Sequence, residues 1–371
     1  MVLDFVDLVA ATGKHLREIA MLEQLSDCEV DVTETTQTEM VVLPTGVRVP
    51  APWDNGEFVL WSPPEAYDKS KAVEVQKNVV VRRHRVSLQS PVEGSFLREW
   101  GKNGHGVGQL DEPSGVAVKG DEVIVCDMLN DRIQVFGLDG SFVRGWGTRG
   151  TKQGQFKHPS AVTVMGEEVI VCDMMNHRIQ VFRMNGSFVR EWGRGGTAHG
   201  QFDMPSAVAV MGDEVIVCDE MNHRIQVFGV DGSFRREWGA LGAGKGQFNL
   251  PCGVAVRRDQ VFVCDAYNHR IQVFWMDGSF VRDWDIDGTG QGELRIPKSV
   301  AVSGDEVIVC NLHNHRIQIQ VFGVDGSFVK EWSTLGGTRF DLSCGVAVRG
   351  HEVIVCDAYN HCIRVFGDEM A

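Results

Sequence analysis

The sequence predicts an all-β protein, a six-bladed β-propeller of four-stranded antiparallel blades, on three observations. A motif that ends in tryptophan, Gly-Ser-Phe-x-x-x-Trp, returns every 46 residues and once after 48. Each copy holds four short runs rich in Val, Ile, Phe and Trp, separated by Gly, Asp and Asn, which is typical of strands joined by turns. Four strands in a period of this length are typical of propeller blades. The motif ends at Trp100, Trp146, Trp192, Trp238, Trp284 and Trp332.

The number of strands predicts how the ring closes. The strands of a copy are called a to d, and in the first copy we expect them at 116–118, 123–126, 133–136 and 142–146. Strands a, b and c each occur six times after Trp100, whereas strand d reaches six only if residues 96–100 are included. We therefore expect strand 96–100 to pair with strand 363–366, which leaves no blade with an exposed edge.

The repeats begin only after an extension. We expect residues 1–91 to form a small N-terminal α+β extension of unknown fold, and residues 92–371 to form the propeller. The extension contains a short helical pattern at 16–25 and strand-like runs at 40–49 and 58–61. Paired Cys and His residues at zinc-binding spacing are missing from it, so no RING module is expected in this chain.

The amino-acid composition limits which classes of partner and which cell compartment are expected. The formal net charge of −14 opposes broad binding to phosphate backbones, which depends on cations replacing counterions. The sequence contains no apolar run long enough for a membrane span and begins without the pattern of a secretory signal. Six of the ten cysteines recur at one repeat position, which favours reduced thiols over a disulfide framework. A cytoplasmic monomer without membrane contact is expected.

A repeated aspartate ends strand b and a repeated arginine begins strand c. We interpret both as structural, because a catalytic group is needed once whereas a device that joins blades is needed at every junction. We expect each aspartate to pair with the arginine of the following blade. Asn311 and Cys362 would then remove both partners of one junction, which avoids a lone buried charge. The residues of the expected inter-blade pairs are Asp127, Asp173, Asp219, Asp265, Arg178, Arg224, Arg270 and Arg316.

Repeated cysteines and histidines suggest a metal centre, but the geometry of a ring opposes it. Thiols at the end of strand b in neighbouring blades are expected roughly 10 Å or more apart, too far to share zinc or form disulfides. We interpret these cysteines as small buried residues and the histidines as turn or blade-packing residues. The cysteines are Cys126, Cys172, Cys218, Cys264, Cys310 and Cys356, and the histidines are His177, His223, His269, His315 and His361.

Antiparallel connectivity separates the loops into two faces. The b–c turns and d–a loops emerge at one end of each blade, here called the upper face, and the a–b and c–d turns form the lower face. Lysine, arginine, aspartate and glutamate counts make the lower face strongly acidic and the upper face nearly neutral. Long loops on a rigid scaffold usually carry binding function, so we expect a protein or peptide partner on the upper face.

Candidate binding residues occupy one equivalent position of the b–c turn. Apolar and aromatic residues at exposed turns are enriched in protein interfaces, whereas relaxed drift at a solvent-exposed position is the alternative. Arg149, Lys152 and Lys157 form a basic sector beside them that suits an acidic peptide or a phosphate. The equivalent residues, called the turn ring, are Leu129, Met175, Met221, Tyr267, His313 and Tyr359.

The elements Gly-Gln-Phe-x-x-Pro, Val-Ile-Val-Cys-Asp and Asp-x-x-Asn-His-Arg-Ile-Gln-Val-Phe resemble NHL repeats over about residues 92–367. Departures are Asn311, Cys362 and Ser343, which stands where other copies have proline. The resemblance implies a non-enzymatic protein-binding scaffold, as in the propellers of tripartite-motif and RING ubiquitin ligases, and a role in recognising substrates for degradation. Without a RING module, the chain is not expected to transfer ubiquitin unaided.

The resemblance leaves two other functions open. Some NHL propellers bind single-stranded RNA on a basic face, which the near-neutral upper face weighs against. Amidating lyases use similar propellers with a histidine-bound zinc, but nothing in the sequence singles out three of the five histidines. No catalytic residue, metal or cofactor is predicted.

Overall fold

The computed structural model describes residues 95–285, 294–313, 316–333 and 345–367, together with four two-residue strands nearer the amino terminus. The chain divides into two compact units, Met1–Ser90 and Pro91–Ala371. In the first unit β1 pairs with β4, and β2 pairs with β3, both antiparallel. The helix expected at 16–25 lies outside the described residues. The four strands are β1 (Val30–Asp31), β2 (Val41–Val42), β3 (Arg48–Val49) and β4 (Arg83–His84).

The second unit consists of six four-stranded antiparallel sheets, the blades. It begins with β5 (Ser95–Trp100). Blade 1 is β6 (Pro113–Lys119), β7 (Glu122–Asp127), β8 (Arg132–Gly137) and β9 (Phe142–Trp146). Blade 2 is β10 (Pro159–Met165), β11 (Glu168–Asp173), β12 (Arg178–Arg183) and β13 (Phe188–Trp192). Blade 3 is β14 (Pro205–Met211), β15 (Glu214–Asp219), β16 (Arg224–Gly229) and β17 (Phe234–Trp238).

Blade 4 is β18 (Pro251–Arg257), β19 (Gln260–Asp265), β20 (Arg270–Trp275) and β21 (Phe280–Asp285). Blade 5 is β22 (Pro297–Ser303), β23 (Glu306–His313), β24 (Arg316–Gly323) and β25 (Phe328–Ser333). Blade 6 is β26 (Val346–Arg349), β27 (Glu352–Asp357) and β28 (Cys362–Gly367), with β5 as its outer strand. Short 3-10 turns at Met174–Asn176, Glu220–Asn222 and Ala266–Asn268 join strands b and c in blades 2 to 4.

The ring closes as the sequence predicts. Strand β5 pairs antiparallel with β28, with Trp100 opposite Ile363 and Phe96 opposite Phe366. Inner strands of neighbouring blades contact one another around the ring, and β26 of blade 6 contacts β6 of blade 1. Six blades and the two-ended closure are therefore confirmed.

Six apolar cores lie between neighbouring blades. Between blades 1 and 2, Ile124 and Ile133 pack with Phe156 and Phe182, and all four side chains are buried. Because a blade is covered on both faces, strand b is a continuous apolar run rather than an alternating one. Each such side chain contributes about 1.5–3 kcal/mol through burial.

The Gly-Ser-Phe-x-x-x-Trp segment, which has arginine as its fifth residue in every copy except the last, contacts the neighbouring blade. Trp146 of blade 1 lies against Gly186 of blade 2, where a Cβ atom would come within 2.9 Å of the indole and φ is +85°. Arg144 donates from Nε to the Met184 carbonyl oxygen of blade 2 at 2.6 Å, and its other nitrogens bind Glu122. The arginine that links neighbouring blades is therefore on strand d, which sequence reasoning overlooked.

Across the part of the chain that the structure describes, every helical segment is too short or too polar to cross a membrane.

Candidate functional site

The repeated aspartate is the hub of a hydrogen-bond network beneath the upper face. In blade 2, Asp173 accepts Arg178 Nε at 2.7 Å and Gln180 Nε2 at 3.0 Å, and its other oxygen accepts the Lys157 backbone N–H at 2.7 Å. Arg178 also donates to carbonyl oxygens of the d–a loop, including that of Gln155 at 2.8 Å. The network fixes the incoming d–a loop onto the b–c hairpin.

The expected direction of the Asp–Arg pairs is wrong. In blades 1 to 4 the arginine binds the aspartate of its own blade, because the two residues lie directly opposite each other across the b–c hairpin. The distances from Nε to Oδ2 are 2.6 Å for Asp127 and Arg132, 2.7 Å for Asp173 and Arg178, and 2.8 Å for Asp219 with Arg224 and Asp265 with Arg270.

Blade 5 differs from blades 1 to 4 in the register of its b–c hairpin. The extra dipeptide lengthens β23 and β24, so Gln318 lies opposite Asn311, and Arg316 lies two residues further along, opposite His313. Arg316 is therefore not equivalent to Arg270, as the sequence alignment of the copies had suggested. Asn311 keeps one function of the aspartate, since its Oδ1 accepts the Arg295 backbone N–H at 2.6 Å.

Blade 6 differs from blades 1 to 4 in the position of its arginine. Cys362 lies opposite Asp357, where other blades have arginine. Arg364, two residues along the same face of β28, brings its Nε to 3.3 Å from Asp357 Oδ2 and replaces the usual glutamine. Asn311 and Cys362 therefore have separate explanations rather than facing each other across one junction.

These aspartates are fully buried, which supports the structural interpretation. Burial raises the pKa of Asp173, Asp219 and Asp357, although hydrogen bonds or charges from their asparagine and arginine partners oppose the rise. Their oxygens accept hydrogen bonds from protein donors, as Asp173 does from Arg178, Gln180 and Lys157. The hub therefore holds loops instead of performing chemistry.

The histidines of the b–c turns link successive blades. His177 and His223 adopt left-handed backbone conformations, with φ of +53°. The Nδ1 atom of His223 lies 3.2 Å from the Leu250 backbone nitrogen of blade 4, and His177, His269 and His361 make equivalent contacts with the following blade. Their predicted role in turns and blade packing is confirmed. His315 lies outside the described residues.

The six repeated cysteines are completely buried and unpaired, as small core residues. Burial raises the pKa of Cys126 and of its described equivalents Cys172, Cys218, Cys264 and Cys356, which keeps these thiols uncharged. Among the described residues, no group of three or more His, Cys, Asp or Glu side chains has the arrangement of a metal site.

Four members of the turn ring expose large apolar side chains on the upper face. Leu129, Met221, Tyr267 and Tyr359 are 37%, 44%, 50% and 52% exposed. Met175 is partly buried in the 3-10 turn of blade 2. His313 ends β23 because the blade 5 hairpin is longer, so it does not occupy the same kind of turn.

The basic sector is carried on the loop that enters blade 2. Arg149 is 76% exposed and its Nε lies 3.9 Å from Asp131, which partly compensates its charge. Lys152 is exposed and Lys157 is half-buried, while the backbone of both residues belongs to the loop network. The three cations therefore lie on a fixed loop.

The sequence analysis overlooked a polar group at the centre of the upper face. It consists of Glu220, Ser206, Cys252 and Lys298, which we call the axial cluster. The Ser206 hydroxyl donates to the Pro251 carbonyl oxygen at 3.3 Å. Burial raises the pKa of Glu220 and of Cys252, and the charge of Lys298 opposes that rise. Its signal in the sequence is that Glu220 and Lys298 interrupt otherwise regular repeat positions.

Comparison with known proteins agrees with this architecture. The family model of the NHL repeat matches residues 202–228, 248–274 and 294–319. The WD40 β-propeller domain of Doa1 is similar in structure, with a TM-score of 0.52 and 11% identity over 74% of this chain and 97% of that domain. A streptogramin B lyase gives a TM-score of 0.51 and 13% identity over 69% of this chain and 94% of that one. A search of curated protein sequences finds no match.

Six four-stranded blades around one ring define the second unit as a β-propeller. Three of its blades match the family model of the NHL repeat, so the chain belongs to the NHL-repeat β-propellers. Identities as low as those of the two similar structures show a shared fold and carry no activity from one protein to the other.

Proposed function

We propose that the chain is a non-enzymatic scaffold that binds a protein partner on its upper face. The observation that carries the proposal is the exposure of Leu129, Met221, Tyr267 and Tyr359 at equivalent turns. Exposed aromatic and aliphatic side chains on a rigid framework are favourable interface anchors, because little entropy is lost when they are buried. The Asp hubs hold these turns in place.

The test compares affinity capture by the wild type and by a variant in which Met175, Met221, Tyr267 and Tyr359 are changed to serine. We expect the variant to lose specific partners. Trp275, Val143 and Val329, which are exposed outside the b–c turns, provide a control variant with serine at those positions. Identical partner lists for the wild type and the turn-ring variant would refute the proposal.

We further propose that the captured partner is a substrate for ubiquitin-dependent degradation, and that a separate subunit supplies the ligase. This proposal rests on the resemblance to ligase propellers, and in it the chain acts in the cytoplasm as a monomer. In a reconstituted assay, the purified chain alone is expected to transfer no ubiquitin, and to increase transfer to its partner when the ligase subunit is added. Transfer by the chain alone would contradict this.

A further inference from the structure

The d–a loop that enters blade 2 has a charge that the other loops lack. Residues 147–158 contain Arg149, Lys152 and Lys157, the basic sector, and no aspartate or glutamate. Each of the other five d–a loops contains a single lysine or arginine. The positive charge is therefore a property of this one loop and not of the repeat.

A second change of charge lies in the b–c turn of blade 1, at the base of this loop. Asp131 is buried and stands where blades 2, 3, 4 and 6 have histidine. Its Oδ1 accepts the His158 backbone N–H at 2.8 Å, a bond that histidine Nδ1 accepts at other junctions. Its Oδ2 lies 3.9 Å from Nε of Arg149, whose side chain is mostly exposed. Asp131 therefore fixes the loop and leaves Arg149 accessible to an external anion.

Hydrogen bonds hold the two lysines of the loop at fixed positions. The Lys152 carbonyl oxygen accepts Arg178 at 2.9 Å, and the Lys157 backbone N–H donates to Asp173 at 2.7 Å. Within the described ranges, no carboxylate forms an ion pair with either ammonium group, and Glu191 of the same blade is bound to Arg178. An external carboxylate can therefore bind both lysines without displacing an internal partner.

Apolar side chains of the turn ring lie beside these cations. The Met175 backbone N–H donates to the Lys157 carbonyl oxygen at 3.1 Å, so the two residues project from adjacent backbone segments. Leu129, which is 37% exposed, belongs to the same turn as Asp131. The loop and these two turns contain one aromatic ring, Phe156, and it is buried. A partner placed here meets cations and aliphatic side chains, but no exposed ring on which a nucleic-acid base could stack.

We propose that the basic sector and the two turns beside it select an acidic segment of the protein partner. Carboxylates of the segment bind the basic sector, and an apolar side chain between them packs on Met175 and Leu129. The inference rests on the function proposed above and specifies the chemistry of the partner. A peptide fits better than single-stranded nucleic acid, because the chain has a net charge of −14 and only this loop concentrates cations.

Fluorescence anisotropy of the full chain with a labelled peptide, Glu-Ser-Leu-Ser-Glu-Ser-Leu-Ser-Glu, tests the proposal. In an extended peptide every second side chain lies on one face, which places glutamate and leucine together. We expect a peptide with glutamine for glutamate to bind at least about tenfold more weakly, since each exposed ion pair contributes up to about fivefold. Added salt should weaken only the glutamate peptide. Equal binding of the two peptides, or no binding of the glutamate peptide, would overturn the proposal.

A loop variant replaces all three cations with residues found at the same positions of other d–a loops, which makes it compatible with the fold. The substitutions are Arg149→Asn, Lys152→Ala and Lys157→Asn, after Asn103, Ala198 and Asn249. We expect it to bind the glutamate peptide about tenfold more weakly than the wild type. If the loop variant does not fold, as judged by circular dichroism, Lys152→Ala with Lys157→Asn keeps the contact between Arg149 and Asp131.

The matched control removes the same charge from the lower face, at the last residue of strand a. The substitutions are Lys119→Met, Arg257→Met and Arg349→Met, after Met165 and Met211 of blades 2 and 3. This variant should bind the glutamate peptide as the wild type does. Equal weakening by both triple variants would assign the effect to net charge and refute a local site.

Affinity capture separates this inference from the proposed function. Loss of the same partners by the turn-ring variant and the loop variant would support both. If the turn-ring variant lost partners and the loop variant kept all of them, the upper face would bind protein but the acidic selection would be wrong. Displacement of the glutamate peptide by oligouridylate would also contradict the inference, since the basic sector would then bind nucleic acid.

Discussion

Blades 2 to 4 and blades 5 and 6 have the same strand order but differ in the chemistry at the position of the repeated aspartate. In blades 2 to 4 an aspartate, an arginine and a glutamine form one repeated network. Blade 6 keeps the carboxylate of Asp357 and moves the guanidinium to Arg364. Blade 5 replaces the carboxylate with the amide of Asn311 and retains its bond to the loop backbone. In blades 2 to 5 the shared feature is a side-chain oxygen that accepts a backbone N–H of the incoming loop.

The register of the blade 5 hairpin explains why this blade has Asn311 where the other blades have a charged aspartate. The inserted dipeptide places Gln318, not an arginine, opposite residue 311. A buried carboxylate at that position would have lost the guanidinium that faces it elsewhere, and an unpaired buried charge is costly. The amide of Asn311 avoids that cost and still accepts the Arg295 N–H. Insertion and substitution are therefore parts of one change.

Blade 6 differs from the other blades because its strands come from both ends of the repeat region. Removal of β5 should therefore destabilise this blade. Deletion of residues 1–100 removes Leu97 and Trp100, which pack against the core between blades 6 and 1, and leaves the edge of β28 without its paired strand. We expect the truncated chain to lose cooperative unfolding, as measured by circular dichroism during a urea titration.

Deletion of residues 1–90 is the control, because it leaves β5 in place. That variant should keep a cooperative transition. If deletion of residues 1–100 left the midpoint and the cooperativity unchanged, the outer strand would not be what closes blade 6.

Loss of the charged aspartate of blade 3 should lower the free energy of unfolding more than loss of the neutral amide of blade 5. Asp219→Ala removes the buried carboxylate that accepts hydrogen bonds from Arg224 and Gln226, while Arg224 keeps its ion pair with Glu237. We expect the substitution to lower the free energy of unfolding by about 3 kcal/mol. Asn311→Ala removes one neutral acceptor and should cost about 1 kcal/mol. Urea unfolding of both variants measures the difference. Similar losses would show that the ion pair adds nothing beyond the bond to the loop.

The sequence was sufficient for blade number, strand order and closure, because each follows from counting apolar runs between recurrent turns. The partner of each Asp hub was predicted wrongly, since every copy except those of blades 5 and 6 has one aspartate and one arginine, and counting them does not separate a pair within a blade from a pair between blades. The register of the hairpin decides the partner: Asp173 ends strand b and Arg178 begins strand c, so they lie opposite each other.

The displaced arginine of blade 6 can be tested with a double-mutant cycle. Arg364→Gln removes the cation from Asp357 and is expected to cost about 2 kcal/mol, the typical value of a hydrogen bond to a charged group. Combining it with Cys362→Arg recreates the pattern of blades 2 to 4 and should recover most of the loss. Chemical unfolding of the two single variants and the double variant gives the coupling. Purely additive effects would mean that positions 362 and 364 do not exchange this role.

The ion pairs between strands b and d predict a small dependence of stability on pH. Hydrogen bonds from Arg190 lower the pKa of Glu168 below its ordinary value, and Arg236 does the same for Glu214. A carboxyl group whose folded pKa is depressed adds stability above its unfolded pKa, and this contribution is lost as the pH falls through the folded value. Blade 4 has Gln260 at the equivalent position.

Glu168→Gln should therefore lower the free energy of unfolding near pH 7, by roughly 0.2–1 kcal/mol because the pair is partly exposed, and should have less effect in acid. Gln260→Glu, which places a carboxylate near Arg282 as in blades 1 to 3, should act in the opposite sense at the same pH. The buried aspartates have the opposite pH dependence. Because burial raises the pKa of Asp219, its contribution to the free energy of unfolding is not lost when the pH falls. Urea unfolding at about pH 7 and about pH 3 separates the two groups. Equal losses for Glu168→Gln at both pH values would assign the contribution of Glu168 to packing instead of charge.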